Sequence, residues 1–413
     1  MPDIGIVGAG TGGLHLGLLL RQHGLEPALY AERSAEEVLA GRLPNTVAHH
    51  HHTRTRERRL GVNHWDGTGP SYGRHWHYFG GEQPLEFPGS FTAPSMAVDY
   101  RLYLSRLLED FESGGGRVVP GAVDAEALPG LARQHDLLVV STGKGALADL
   151  FPPLPGRCPY DGPQRVLSAG LYAGIAYADP ICVTFGVSPG HGEIIEIPIQ
   201  SFEGNVTTLL FECVPGGDLE VLARTPYADD PAAYEGLVLE KLASHFPPIF
   251  ARVDGSAFSL TRPTSILQGA VTPVARASYA SLGDGTYAIA LGDAHVTVDP
   301  VVGQGANAAS HAAFALGETI LEGGPFDEAF CLKIDERRLP FVMGVFDWTN
   351  FMLRPEGHLF ELVGAMSQIP ALADDFTENF NRPDLQWEHL SSPDATAAYI
   401  ARFAGATDQL QEA

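Results

Sequence analysis

GIVGAGTGG, residues Gly5 to Gly13, decides the fold. An apolar run from Ile4 to Val7 leads into it, and Leu14, Leu16 and Leu18 to Leu20 carry on toward Gly24, so the stretch reads as strand, tight turn and helix. That is the setting a dinucleotide fingerprint needs. Gly8 makes the turn, Gly10 lets a pyrophosphate approach the backbone, and Gly13 lets the helix pack closely on the strand. A second strand, Pro27 to Ala31, ends at Glu32, where a carboxylate can accept from the hydroxyls of an adenosine ribose.

A second glycine-rich approach to a helix follows nearly three hundred residues later, in VTVDPVVGQGANAASH, Val296 to His311. Open N–H groups and the positive end of a helix dipole make each approach attractive to negative charge. Two of them imply one long ligand held at both ends.

The 413-residue chain is long enough for two domains interleaved in sequence. Its 26 basic and 50 acidic residues give a formal charge of −24, which disfavours nucleic acid and anionic membrane surfaces as partners. No apolar run reaches the roughly 18 to 20 residues of a membrane helix. The four cysteines, Cys158, Cys182, Cys213 and Cys331, lack paired spacing, and no secretory leader is recognisable, so a reducing cytoplasm is expected.

Between the two motifs the chain does not alternate regularly. Arg42 to Ser95 reads as irregular, Tyr100 to Ser113 as a helix, and Asp136 to Ser141 as a strand ending at Thr142-Gly143. ICVTFGV, EIIEIPI and VTTLLFECV, between Tyr177 and Gly285, are strand-like, and Tyr287 to Leu291 leads into Gly292-Asp293.

Here the sequence resembles the flavoprotein aromatic monooxygenases of the hydroxybenzoate-hydroxylase fold. Gly292-Asp293-Ala294, Asp299-Pro300 and Gly303-Gln304-Gly305-Ala306-Asn307 are similar to that group's second FAD motif. The resemblance implies that Asp293 meets the ribityl chain and that the helix starting near Gly305 faces the flavin pyrimidine ring, where it stabilises the reduced anion. Thr11, Leu14, Arg33, Arg42, Thr142 and Gly143 join Gly8, Gly10, Gly13 and Glu32 among the implied FAD contacts. Relatives that use NAD(P)H on the same chain carry Asp-Gly where this chain has Thr142-Gly143, so reduced FAD is expected from a separate NADH-dependent flavin reductase.

LPNTVAH, APSMAVDYRLY, HDLLVVSTGK, SPGHGEIIEIP, DLEVLA, ILQGAVTPV, VDPVVGQGAN, DWTNF and DDFTENFNRP then follow one another as in the epoxidase component of two-component styrene monooxygenases. That resemblance spans nearly the whole chain. It implies C4a-hydroperoxyflavin chemistry in which O2 and reduced FAD epoxidise styrene to styrene oxide, and it implies a homodimer. Asn45, Val47, His49, Tyr72, His75 and Ser95 match the styrene-type pattern and become the implied catalytic pocket. Asn45, also an implied FAD contact, and His49 would hold the proximal peroxide oxygen, while Val47 and the aromatic rings keep the pocket dry.

Other readings compete. The run His49 to His52 invites a metal, but no carboxylate or cysteine has ligand spacing to it, so no metal is expected. Arg54 to Arg59 reads as a solvated loop or helix face, Ser188 to Gly192 as a turn, and Trp348 packs a C-terminal helix in an open role. Gly69-Pro-Ser71-Tyr-Gly73 spells a nucleophile elbow without its strand and helix. A flavin-dependent halogenase would carry a Trp-x-Trp-x-Ile-Pro segment, and Ile195-Glu-Ile-Pro198 lacks both tryptophans. An indole-type epoxidase or sulfoxidase of the same family and a noncatalytic flavin-binding protein are the remaining alternatives. The expected architecture is α/β: a doubly wound, Rossmann-like FAD domain from 1–70, 96–165 and 285–335, a β-rich substrate domain from 71–95 and 166–284, and a helical C-terminal region, 336–413.

Overall fold

The computed structural model describes residues 2–143, 147–283 and 285–411. Ile4–Val7 is buried along its whole length, as an apolar run flanked on both edges must be. It pairs in parallel with Ala28–Ala31 on one side and Leu137–Val140 on the other. Arg117–Pro120, Thr286–Ala290 and the antiparallel edge strand Tyr279–Gly283 complete a six-stranded sheet. Tyr279–Gly283 was expected in the β-rich part; its pairing with Thr286–Ala290 puts it here instead.

The helix Thr11–Gln22 leaves the first strand, and Gly305–Glu322 lies against it. The close approach needs Gly317, where a Cβ would sit 2.7 Å from Leu19 Cδ2. His15 Nδ1 and Ser310 Oγ are 3.0 Å apart across this contact. Packing thus brings the two glycine motifs to one end of the sheet.

The second sheet runs Ser259–Leu260, Val166–Ala173, Gly204–Cys213, Gly192–Ser201, Val183–Ser188, Ser71–Phe79, Leu85–Ala97, Ala48–His49, with Ile266–Ala270 also on Val166–Ala173. The expected irregular stretch from Arg42 to Ser95 is therefore largely regular: it contains the helix His51–Leu60 and two long strands. Its His, Gly and Pro content hid the alternation, because buried histidines occupy positions that a pattern of apolar residues would mark. Arg54 likewise departs from a solvated reading. It is 6% exposed and donates to Asp66 Oδ1 at 2.6 Å and to Pro94 O at 2.7 Å.

Ser188 to Gly192 is a hairpin turn, with His191 N donating to Ser188 O. The C-terminal helices cover Leu85–Ala97. Ser90 N and Thr92 N donate to Asp374 and Glu378 at 2.7 Å each, and a Cβ at Gly89 would collide with Thr377. Trp348 is fully buried on Glu328–Leu353, edge-on to Phe380.

Candidate functional site

The first glycine motif divides its labour. Gly8 has φ +110°, and a Cβ there would meet Ser141 O at 2.9 Å; one at Gly13 would collide with the Gly8 carbonyl. Those two glycines are packing requirements. A Cβ at Gly10 meets nothing within 4 Å, and the helix that starts at Thr11 has no side-chain cap, so the space over its amino end is open. A pyrophosphate fits that cradle.

Glu32 and Arg33 are exposed just beyond the second strand, and Arg42 is exposed further on. Thr11 Oγ1 donates to Tyr100 OH at 3.4 Å. Leu14 departs from its expected role: its side chain is fully buried in the core and its N–H is spent on Gly10 O, which leaves no polar group for a cofactor.

At the second motif Asp293 is exposed in the turn Gly292–Ala294, beside Thr142-Gly143. A Cβ at Gly143 would collide with Asp293, so this corner requires glycine. Gly303 has φ +63° and ends the turn Pro300–Val302. Gln304 Nε2 donates to Phe380 O at 3.1 Å, while its buried Oε1 has no partner among the described residues. The helix from Gly305 again starts without a side-chain cap. Two uncapped helix starts suit a long anionic cofactor such as FAD, and the buried orphan oxygen suits one of its N–H or O–H donors. Ala306 packs into the core. Asn307, expected as a cofactor contact, has its side chain fully engaged: Oδ1 accepts from Thr53 Oγ1 (2.7 Å) and His50 N (3.3 Å), and Nδ2 donates to Ala48 O (3.0 Å) and Gly303 O (3.2 Å).

Beside this helix start lies a cavity walled by Val47, His50, His75, Phe185, Ile195 and Leu210 from the second sheet and its approaches, and by Pro300, Val302, Gly303 and Phe380 opposite. His75 is buried among Phe91, Phe185 and Phe380, with ring centroids 4.6 to 4.9 Å away, and its Nδ1 has no partner among the described residues. His50 Nδ1 pairs with Ser95 Oγ at 2.9 Å. Burial, reinforced by neighbouring histidines, pulls the His50 pKa down to about 3 and that of His75 well below its ordinary value, so the rings are neutral.

Among the expected catalytic residues, Val47 and His75 line the cavity and Ser95 orients a lining residue. Tyr72 belongs to the apolar cluster behind the wall that also holds Val183 and Ile195, and its buried hydroxyl has no partner among the described residues. Asn45 is half-buried on the loop two residues before Val47.

His49 departs from its expected role. Its Nδ1 bonds Glu57 Oε1 at 2.5 Å and its Nε2 bonds Tyr100 OH at 2.7 Å, which leaves no nitrogen for an oxygen species. Glu57 also accepts from Tyr103 OH at 2.8 Å, and that hydroxyl lies 2.8 Å from His15 Nε2. Burial opposes ionisation of Glu57, but the charge and hydrogen bond of His49 outweigh it and hold its pKa below the ordinary value. His50, Phe185, Ile195, Leu210, Val302 and Phe380 are among the lining residues that sequence reasoning missed. The four histidines diverge: His52 bonds Asn381 O at 3.0 Å, and no group of metal-ligating residues forms among the described residues.

The family model described as "Styrene monooxygenase A putative substrate binding domain" matches residues 143–252. The styrene monooxygenase StyA of Pseudomonas fluorescens is 47% identical over 97% of this chain and 98% of its own. The chain belongs to the styrene monooxygenase family. Like that family, it is a flavoprotein monooxygenase in architecture, with a doubly wound FAD-type domain, a β-rich part and a helical C-terminal part. Among solved structures, the flavin-dependent brominase Bmp2 has a similar fold (TM-score 0.69, 16% identity, covering 100% of this chain and 99% of its own). A flavoprotein/dehydrogenase from Cytophaga hutchinsonii matches equally (TM-score 0.69, 14% identity, covering 100% of each). No helix among the described residues is long and apolar enough to cross a membrane.

Proposed function

We propose that this chain epoxidises styrene and similar vinyl aromatics with O2 and reduced FAD, and that a separate NADH-dependent flavin reductase supplies the reduced flavin. The 47% identity to a styrene monooxygenase over 97% of the chain carries this reading. When bound, reduced FAD supplies the oxygen-activating chemistry. The chain's residues do the rest.

Gly10 and the open helix start at Thr11 take the pyrophosphate in the cradle that Gly8 and Gly13 shape by allowing the turn and the close helix packing, with Glu32 at the ribose and Arg33 and Arg42 nearby. Asp293, Thr142 and Gly143 hold the ribityl side. The backbone of Gly303 to Asn307, with Pro300 beside it, stabilises negative charge on the pyrimidine ring through its open helix start. The apolar walls at Val47, Phe185, Ile195, Leu210 and Phe380 exclude water, which delays loss of activated oxygen as hydrogen peroxide.

Neutral His50, oriented by Ser95, and His75 are polar groups of that dry cavity with ring nitrogens to offer, and they take the oxygen-holding role; Asn45 approaches from the preceding loop. His49 and Tyr72 support this wall from behind. The division into FAD-binding, β-rich and C-terminal parts, amended at Tyr279–Gly283, and the homodimer belong to the same reading.

Mixing the purified chain with chemically reduced FAD, O2 and styrene tests it, with styrene oxide read by gas chromatography. Product that forms without halide and persists with catalase supports epoxidation. No epoxide, with hydrogen peroxide as the sole product, sinks it.

A further inference from the structure

Glu212 and Asp299 are fully buried, and three of their four carboxyl oxygens have no hydrogen-bond partner among the described residues: Asp299 Oδ2 and both of Glu212. The fourth, Asp299 Oδ1, accepts from Val301 N at 3.1 Å and so caps the turn Pro300–Val302. Pro300, Val302 and Gly303 wall the cavity.

Glu212 reaches the same place from the sheet. Side chains alternate along a strand, so Leu210 and Glu212 share one face of Gly204–Cys213. Pairing sets Leu210 opposite Ile195 and Glu212 opposite Glu193. Leu210 and Ile195 are cavity walls, and Glu212 stands two residues further along the strand on the same face.

The charges around the pair do not neutralise it. Arg165 is the neighbouring cation, but its guanidinium is bonded to Glu193 by two contacts of 2.7 and 2.8 Å. Tyr160 also faces the pair, and Cys213 lies next to Glu212 on the other face of the strand; burial keeps each in its neutral form by raising its pKa. A buried carboxylate without a donor costs several kcal/mol, and two adjacent ones in such a place do not both ionise. One proton between them removes a charge and supplies the missing donor.

We propose that Glu212 positions the Pro300–Gly303 turn by sharing a single proton with Asp299, one carboxyl donating to the other. Its effect on catalysis rests on the epoxidation reading; the shared proton does not. Burial pushes both carboxyls above their ordinary values, and for Glu212 the charge of Asp299 adds to it. A raised folded-state value means that the stabilisation is complete below the ordinary carboxyl range and is lost as pH rises through the raised values. When the last shared proton leaves, two carboxylates repel and the turn shifts. Glu212 acts through Asp299 and is a positioning residue.

Infrared difference spectra and melting curves of the cofactor-free full chain test the proton directly. Wild type should show a protonated-carboxyl C=O band at neutral pH that disappears in alkali together with a fall in Tm. Glu212→Gln, whose amide donates to Asp299 without titrating, should lose both the band and the alkaline fall; Asp299→Asn should do the same and covers a misfolded first variant. Reduced-FAD affinity should fall roughly tenfold per pH unit once the pair is doubly ionised in wild type and stay flat in Glu212→Gln. An identical band, or an identical alkaline fall, in wild type and the folded variant overturns the proposal. Absence of epoxide from every protein, with band and affinity as expected, removes the reaction and leaves the shared proton standing.

Discussion

Asn307 accepts a 2.7 Å hydrogen bond from the hydroxyl of Thr53, although 254 residues separate them. Through this bond and that from His50 N, the helix start of the late glycine motif is fastened to the segment that carries Val47 and His50. The cofactor end and the cavity end of the site are therefore one mechanical unit. Asn307→Ala should strand the Thr53 hydroxyl and destabilise the protein by about 1–3 kcal/mol. It should also raise hydrogen peroxide release, because His50 loses its anchor. A melting curve and a peroxide assay check the two parts, and a variant with unchanged coupling would uncouple Asn307 from the cavity.

The glycines of the first motif should separate stability from binding. Gly10→Val puts its side chain into open space, so it should melt like wild type yet bind reduced FAD at least about tenfold more weakly, a loss of roughly 1.4 kcal/mol. Gly13→Ala drives a methyl into the Gly8 carbonyl and should unfold the domain first. Anaerobic fluorescence titration beside calorimetry distinguishes them; equal loss of Tm in both would show that Gly10 is another packing glycine.

His50→Ala and His75→Ala should divert turnover from epoxide to hydrogen peroxide with little loss of FAD affinity. His49→Ala should act differently. It leaves the Glu57 carboxylate buried without its closest partner, and that costs about 3–5 kcal/mol of stability. Stopped-flow spectra with product analysis, next to melting curves, decide between these roles. Val47→Phe should reduce turnover of bulky styrenes before that of styrene, by filling the cavity.

Acid should destabilise the chain through its buried histidines. Burial lowers His15 and His50 to about 3, His77 to about 4, and His75 well below its ordinary value. The unfolded chain takes up protons near 6.5 while the folded one does not, so stability is complete above about pH 6.5 and falls progressively as pH drops toward the folded values. Tm measured from pH 8 to pH 4 should trace that fall, and His77→Phe should flatten it. A slope unchanged by the substitution would assign the acid loss to other groups.

Purified chain with NADH, FAD, O2 and styrene should make essentially no epoxide until a flavin reductase is added. The family resemblance implies an aspartate in NAD(P)H-using proteins where this chain has Thr142, at the corner where Gly143 abuts Asp293. Any NADH-oxidising flavin reductase should restore product; sustained NADH consumption by the chain alone would return it to the self-sufficient hydroxylases.

The sequence by itself determined what depends on local spacing. Gly8, Gly10 and Gly13 between a strand and a helix are a short-range pattern, and the helix Tyr100–Ser113 and the strands Gly192–Ser201 and Gly204–Cys213 follow from periodicity within a few residues. The doubly wound sheet followed from them. Tertiary structure alone decided which side chains meet. Nothing local distinguishes His49 from His50, yet the first turns into the Glu57–Tyr100 network and the second to Ser95 and the cavity, because adjacent positions on an extended segment face opposite ways. The pairing of Glu212 with Asp299, 87 positions apart in the chain, is of the same kind. Burial turns each from an ordinary acid into half of a shared site, and burial is a property of the assembled fold.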